Sequence, residues 1–322
     1  MEKLIFWGQF VIIGIFVIIV FTTIARRPMT QMRRTQAFFI ASVLVPVLTL
    51  FFIVRIYPML QTVIISFFKY DPIRPVKPFV GLGNYIRLFM EDEQFKLSIR
   101  NSLLFVGITV PGNILIGLLL ALVLQHRVRG SSFFESLFFV PYMAPIVPMA
   151  IIWQWMYAAD GVFNQILMAL GGSRVAWMSL DLALPSIMLM FVWQLNGYMM
   201  LILLVGLRGI PEMYYEAAAI DGASWGAQFT RITLPLLRPI TLYCLIIGTL
   251  QAFMVFSQVF VMTQGSDVAP GAAVHVLVLD IYQKGCTYRK MGLASAEAVI
   301  LLVIILTVTV LQLRFGRSRE AK

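Results

Sequence analysis

Seven long apolar runs decide what this chain can fold into. They cover residues 4–25, 38–56, 102–124, 133–156, 182–206, 240–262 and 293–313. Each is close to the about 20 residues that a helix needs to cross the hydrocarbon core of a bilayer. Lipid offers the backbone no hydrogen bonds, so only helices and closed barrels can span it. The alternating strands of a barrel, about 10 residues each, are absent from the sequence. Composition agrees, with 60% of the 322 residues hydrophobic and only 12% charged, where a soluble domain carries about 25% charged residues. The expectation is an all-α polytopic membrane protein with about seven transmembrane helices. Such a composition excludes disorder. The formal net charge of +10 belongs mostly to residues between the runs, so membrane topology explains it better than nucleic acid does. Cys244 and Cys286 make no disulfide framework, and His126 and His275 have no cluster around them to hold zinc or haem.

The basic residues also give the chain a direction. Arg26, Arg27, Arg33 and Arg34 follow the first run, Arg127 and Arg129 the third, Arg208, Arg231 and Arg238 the fifth, and Arg314, Arg317, Arg319 and Lys322 the seventh. These segments alternate along the chain, so one side can hold them all. By the positive-inside rule that side is the cytoplasm, which puts the N-terminus outside and the C-terminus inside. The first run is read as a retained helix rather than a signal peptide, because its apolar core is long and no convincing small-residue cleavage site precedes Arg26. Residues 57–99, with Pro72, Pro75 and Pro78, are expected to form a structured outer cap. The acids and bases of the outer loops, Asp280 and Lys284 among them, are expected in those loops. Glu135, Glu297 and Arg55 lie near span ends and are expected to pair or snorkel. Trp153, Gln154, Trp155 and Tyr157 read as an interfacial aromatic belt.

The segment 208–238 is too polar to span and too rich in alanine to be plain loop. Pro211 and Glu212 favour a helix start, Glu216-Ala217-Ala218-Ala219 favours its continuation, and Gly222 offers a stop or sharp bend. A second short helix can begin at Ser224, with Pro235 and Pro239 marking the return into the membrane. The expected product is a compact helix–turn–helix on the membrane surface. Its carboxylates, Glu216 and Asp221, and its small alanines suit docking into a partner's groove.

The spacing Glu216-Ala217-Ala218, three residues, Gly222, nine residues, Ile232, one residue, Leu234-Pro235 resembles the EAA loop of permease subunits of binding-protein-dependent ABC importers. Ser66-Phe67, Gly81-Leu82-Gly83-Asn84-Tyr85, Gly161-Val162-Phe163-Asn164 and Gly292-Leu293-Ala294-Ser295-Ala296 resemble the carbohydrate, maltose-type branch. The resemblance covers about residues 38–315, with one departure at Gly265-Ser266-Asp267, where the family often has Gly-Gly-Pro. It implies a six-helix type I importer core over residues 36–322, preceded by an extra N-terminal helix and basic cytoplasmic linker over 1–35. It also implies that Glu216, Ala217, Ala218, Asp221, Gly222, Ile232, Leu234 and Pro235 couple to an ATPase. The implied partners are a second homologous permease, two ATPase subunits that bind ATP and Mg, an extracytoplasmic solute-binding protein, a carbohydrate and the bilayer of the bacterial inner membrane. No Gly-x-x-x-x-Gly-Lys-Ser/Thr loop occurs in this chain, so it cannot bind ATP in that way. It is expected to be a non-catalytic subunit with no cofactor or metal of its own.

Polar side chains inside spans face a bundle interior or a cavity. Run five carries Trp193, Gln194, Asn196 and Tyr198, with Gln194 and Tyr198 on one helix face. Run six carries Gln251, Phe253, Ser257 and Gln258, with Gln251 and Gln258 seven apart and again on one face. Amides, hydroxyls and aromatic rings are what a sugar needs, and the resemblance points to the same two helices. The competing reading is that such groups only join helices by hydrogen bonds. At the level of the whole chain, the alternatives are an ABC permease for another solute, such as glycerol phosphate or an amino acid, and a secondary transporter. Absence of mid-span carboxylates weighs against the latter.

Overall fold

The computed structural model describes residues 22, 31–73, 77–125, 130–263 and 271–317. Apart from Thr22, the first apolar run lies outside the described residues, as do Arg26, Arg27, His126, Arg127, Arg129, residues 264–267, Arg319 and Lys322. The other six runs are all helical. Among the described residues five helices are long and apolar enough to cross a membrane, six if the bent pair Ser131–Met143 and Ile146–Met156 counts as one span. Among the described residues the only β pairing is an isolated bridge between Phe68 and Phe79.

The chain divides into two units, Met1–Ile65 and Ser66–Lys322. In the first, helix α1 spans Gln31–Ile65. It absorbs Pro46 within its length and widens into a π turn over Phe52–Ile56. Residues 57–65 therefore continue this helix, and the expected outer cap begins only after them. Arg55 lies exposed within the π turn.

In the second unit, α2 (Gly83–Met90) is tied to the residues before it by the Asn84 side-chain amide, which donates to the Ser66 and Phe68 carbonyls. Helix α3 (Glu93–Leu124) starts at Asp92, whose carboxylate accepts the Phe95 amide in an N-cap. Run four is broken into α4 (Ser131–Met143) and α5 (Ile146–Met156), bent by 97°. The break follows Ala144-Pro145: Pro145 removes an amide donor and holds the residue before it extended, and Ala144 has ψ 141°. Helix α6 (Val162–Ala169) is short. Helix α7 (Ala183–Arg208) is the axis of the core, with 67% of its apolar window buried, more than any other span. It packs against α3 and α4. At Gly197 its backbone meets α4 so closely that a Cβ would collide with the Phe138 carbonyl oxygen. Small residues permit this kind of approach in membrane bundles, where dispersion replaces the hydrophobic effect as the driving force.

Beyond α7 come α8 (Met213–Ile220), α9 (Trp225–Gln228) and α10 (Leu234–Phe253), the last two joined by a π turn over Phe229–Thr233. Pro235 and Pro239, expected to mark the return into the membrane, do so without a break in the helix. The helix runs on from Trp225, with Pro235 in its first turn after the π segment and Pro239 inside α10. Both this π turn and the one in α1 end two residues ahead of a proline. A widened turn relieves the clash between a proline ring and the preceding turn's carbonyls. Helix α11 (Ser257–Met262), α12 (Leu277–Tyr282) and α13 (Met291–Arg317) complete the unit.

Candidate functional site

Helix α8 has no buried residue. It ends in a Schellman arrangement: the Gly222 amide bonds the Ala219 carbonyl at 3.0 Å, and the Ala223 amide bonds the Ala218 carbonyl at 2.8 Å. Gly222 takes φ +74°, a left-handed conformation that side chains disfavour. Ser224 then caps α9 by accepting the Ala227 amide, as its position suggested. The Gln228 amide closes back on the Ala223 carbonyl, and the Tyr215 and Thr233 hydroxyls meet at 2.9 Å. The result is a helical hook standing off the spans. Glu216, Ala217, Asp221 and Gly222 are exposed on it, Ala218 and Ile232 are half-buried, and Leu234 and Pro235 are exposed where α10 begins. Ile220 at its tip is 87% exposed, with Met213, Tyr214 and Trp225 also open. Below it lies a cleft of about 430 Å³ lined by Leu122, Arg208, Tyr215, Trp225 and Phe229.

The candidate path residues separate. Gln194 and Gln258 are both buried, and the Gln258 amide donates to the Gln194 carbonyl at 3.3 Å. Tyr198 stacks on Tyr142 at 4.8 Å and shares a 2.8 Å hydroxyl contact with Tyr243. Asn196 is buried with neither amide atom hydrogen-bonded, which costs about 1–3 kcal/mol per orphaned group. Trp193 is half-exposed, with its ring 5.4 Å from Trp153. The expected common face of Gln251 and Gln258 is not formed: the helix breaks at residues 254–256, leaving Gln251 exposed and Gln258 buried. Ser257 is half-buried beside the break, and Phe253 is buried in a second apolar cluster with Leu88, Phe95 and Leu277. The aromatic-belt reading is also corrected. Trp155 is exposed, but Trp153 and Tyr157 are core residues, and the Tyr157 hydroxyl donates to the Ser186 carbonyl at 2.8 Å. Tyr142 and Tyr243 were missed, because a lone tyrosine in an apolar run carries no signal of its own.

A third feature escaped sequence reading altogether. Lys284, expected in an outer loop, is buried, and its ammonium nitrogen lies 2.6 Å from Asp280, 3.0 Å from Glu297 and 3.0 Å from Asp92. Glu297 is fully buried and pairs rather than snorkels. One face of α3 holds the backbone of the facing segment: Asn101 donates to the Ala273 and His275 carbonyls, and the Ser102 hydroxyl accepts the Leu277 amide. The His275 Nε2 lies 2.6 Å from the side-chain Oε1 of Gln283 and 2.8 Å from the Gln94 side-chain amide nitrogen. Burial alone would push the Lys284 ammonium down, but the charges of Glu297 and Asp280 outweigh it and hold it above the ordinary lysine value. Burial would likewise raise Asp92, but the Phe95 amide and the Lys284 ammonium hold its carboxyl below the usual range. The available signals were the i, i+4 spacing of Asp280 and Lys284 and the stripe Gln94, Ser98, Asn101 and Ser102 at helical spacing on α3.

Apolar helices at spanning length, a short exposed hook between two of them and polar groups buried along the central helix define a polytopic membrane permease subunit. The profile of the family "binding-protein-dependent transport system inner membrane component" matches residues 113–320, and the chain belongs to that family. It is 34% identical over 279 residues to the trehalose/maltose transport system permease protein MalF of Thermococcus litoralis, covering 86% of this chain and 93% of that protein. It is 33% identical over 283 residues to the lactose transport system permease protein LacF of Rhizobium radiobacter, covering 86% and 93%. Its fold resembles a chain of a bacterial alginate ABC transporter, solved in complex with an alginate pentasaccharide-bound periplasmic protein. The TM-score is 0.77 and the identity 23%, over 88% of this chain and 95% of that one. The resemblance first carried by Glu216-Ala217-Ala218 and Gly222 thus extends over 86% of the chain.

Proposed function

We propose that this chain is one of two different permease subunits of an ATP-driven importer that moves a di- or oligosaccharide across the bacterial inner membrane. Residues 36–322 form the importer core, preceded by an additional membrane helix and a basic cytoplasmic linker over 1–35. The N-terminus lies outside and the hook lies in the cytoplasm with the C-terminus. The observation that carries the reading is α8, an eight-residue helix with no buried residue. Exposed apolar side chains rimmed by Glu216 and Asp221 mark a protein-binding surface. The hook sits in a groove of an ATPase subunit, where Glu216, Ala217, Ala218, Asp221 and Gly222 make contact. Ile232, Leu234 and Pro235 fix its return into the membrane.

ATP and Mg bind to two ATPase subunits, and this chain makes and breaks no covalent bond. A binding protein delivers the sugar to the outer face. Closure of the ATPases draws the hooks together and shifts the path between its inward- and outward-facing states. Gln194, Asn196 and Gln258 supply amides to the path, and Trp193, Tyr198 and Ser257 supply rings and hydroxyls; the exposed Gln251 and the core residue Phe253 flank it. The unpartnered amide of Asn196 supports this, because a sugar hydroxyl or a water can satisfy it. A carbohydrate is favoured by the trehalose/maltose and lactose relatives and by the alginate transporter's fold. The reconstituted assembly tests the reading. Glu216→Ala should abolish sugar-stimulated ATP hydrolysis or release the ATPase subunits while the permease keeps its melting temperature; Gly222→Ala should do the same at the local cost of about 1–2 kcal/mol for an alanine in the left-handed region. Unchanged stimulation in both variants contradicts the reading.

A further inference from the structure

Arg208 is the last residue of α7, five residues ahead of α8. Its Nη2 donates to the Glu135 carboxylate at 2.7 Å and to the Leu124 carbonyl at 3.0 Å. Leu124 closes α3, so the guanidinium satisfies one of the carbonyls left unpaired at a helix C-terminus and lies at the dipole's negative end. Glu135 belongs to α4. The two charged side chains are 29% and 20% exposed, so solvent screens them less than a surface pair. Three helices meet at this one guanidinium.

Helix α4 has a second attachment to α7 at Gly197, under the Phe138 carbonyl. Beyond its 97° bend, α5 places Trp153 against Trp193 and packs on α11, which carries Gln258. The bent pair therefore begins at the foot of the hook and ends at the buried polar groups. It is a continuous connection between the two regions that does not pass along α7 itself.

We propose that Glu135 and Arg208 are positioning residues that make α4 and the foot of the hook move as one body, so that α4–α5 transmits the hook's displacement to the Gln194–Gln258 cluster. This rests on the reading of the hook as the ATPase handle. The pair touches neither nucleotide nor sugar, and its effect is on the number of sugars moved per ATP hydrolysed.

The test uses the complete importer in liposomes, measuring transport and ATP hydrolysis together. Glu135→Gln keeps the side chain's shape but removes its charge. It should lower the transport-to-hydrolysis ratio by about fivefold or more, the lower end of typical coupling, with melting temperature and ATPase copurification unchanged. An unchanged ratio overturns the proposal. In a chain freed of Cys244 and Cys286, Glu135→Cys with Arg208→Cys should be poorly coupled, and bridging the two thiols with a short reducible bis-methanethiosulfonate should restore the ratio. Transport that stops on bridging and returns on reduction shows that α4 moves against the end of α7, which overturns the proposal. A reagent that fails to bridge the sites overturns it equally. If instead the unmodified chain retains no ATPase subunit, the reading of the hook fails, an outcome distinct from all of these.

Discussion

Lys284→Met removes one ammonium and leaves Asp280 and Glu297 buried around the gap. Their side chains are 1% and 0% exposed, and one oxygen of each already lacks a hydrogen-bond partner. Removing one partner from a buried ion pair costs about 3–5 kcal/mol, because the surviving charge is left without compensation. With Lys284 itself only 6% exposed, solvent screening does not reduce this. In a unit of this size each kcal/mol shifts the melting temperature by about 2–4 °C, so the expected fall is about 6–20 °C. The assay is thermal unfolding in detergent at a fixed scan rate, because membrane proteins often unfold irreversibly. A companion variant with Lys284→Met, Asp280→Asn and Glu297→Gln replaces the charges by neutral groups of similar shape and should recover most of the loss. The reasoning is refuted if the single variant melts with the parent protein, or if the triple variant melts no higher than the single one.

Two further predictions concern the same unit. Gly197→Ala sets a methyl group against the Phe138 carbonyl oxygen, which backbone cannot easily yield, so it should cost about 1–3 kcal/mol or more and lower the yield of folded protein in size-exclusion chromatography; Gly222→Ala meets open space and should cost only the about 1–2 kcal/mol of holding an alanine in the left-handed region. The stabilising effect of Asp92 follows from its lowered pKa: it is fully present above the unfolded value of about 3.9 and lost as pH falls through the lower folded value. Asp92→Asn should therefore melt below the parent protein at neutral pH, and the gap should close only below about pH 4. The Lys284 contribution has the opposite sign. Its raised pKa leaves it intact below about pH 10.4, so neither limb falls in the neutral range.

What could be read in the sequence follows from the range of the interactions involved. Spans are local: an apolar run of bilayer length has one answer, and the runs at 102–124, 182–206 and 293–313 all became helices that extend past their apolar limits. The hook was equally legible, because Gly222 and Ser224 end and begin helices through bonds to residues three to five positions away. The break in run four was hidden, since Ala144-Pro145 lies in an unbroken apolar stretch and prolines elsewhere, such as Pro239, are carried inside a helix. The polar groups of the central bundle were placed on the right helices but not with the right neighbours. Gln194 finds Gln258 across 64 positions, and the turn at residues 254–256 rotates Gln251 away, which periodicity alone does not register. Lys284 was misread for the same reason. Its carboxylates come from three separate elements, Asp92 as far as 192 positions away by the difference of residue numbers, and only folding brings them together.

The central claim is that the hook after α7 is held by a nucleotide-hydrolysing subunit, and Ile220 is the position from which to measure it. A photoreactive residue there, 87% exposed at the end of α8, should on illumination of the assembled transporter yield one covalent adduct with a subunit that itself hydrolyses ATP. Adduct formation should change when ATP is bound but hydrolysis is blocked. Adducts only with lipid, or with a polypeptide that binds no nucleotide, would contradict the account.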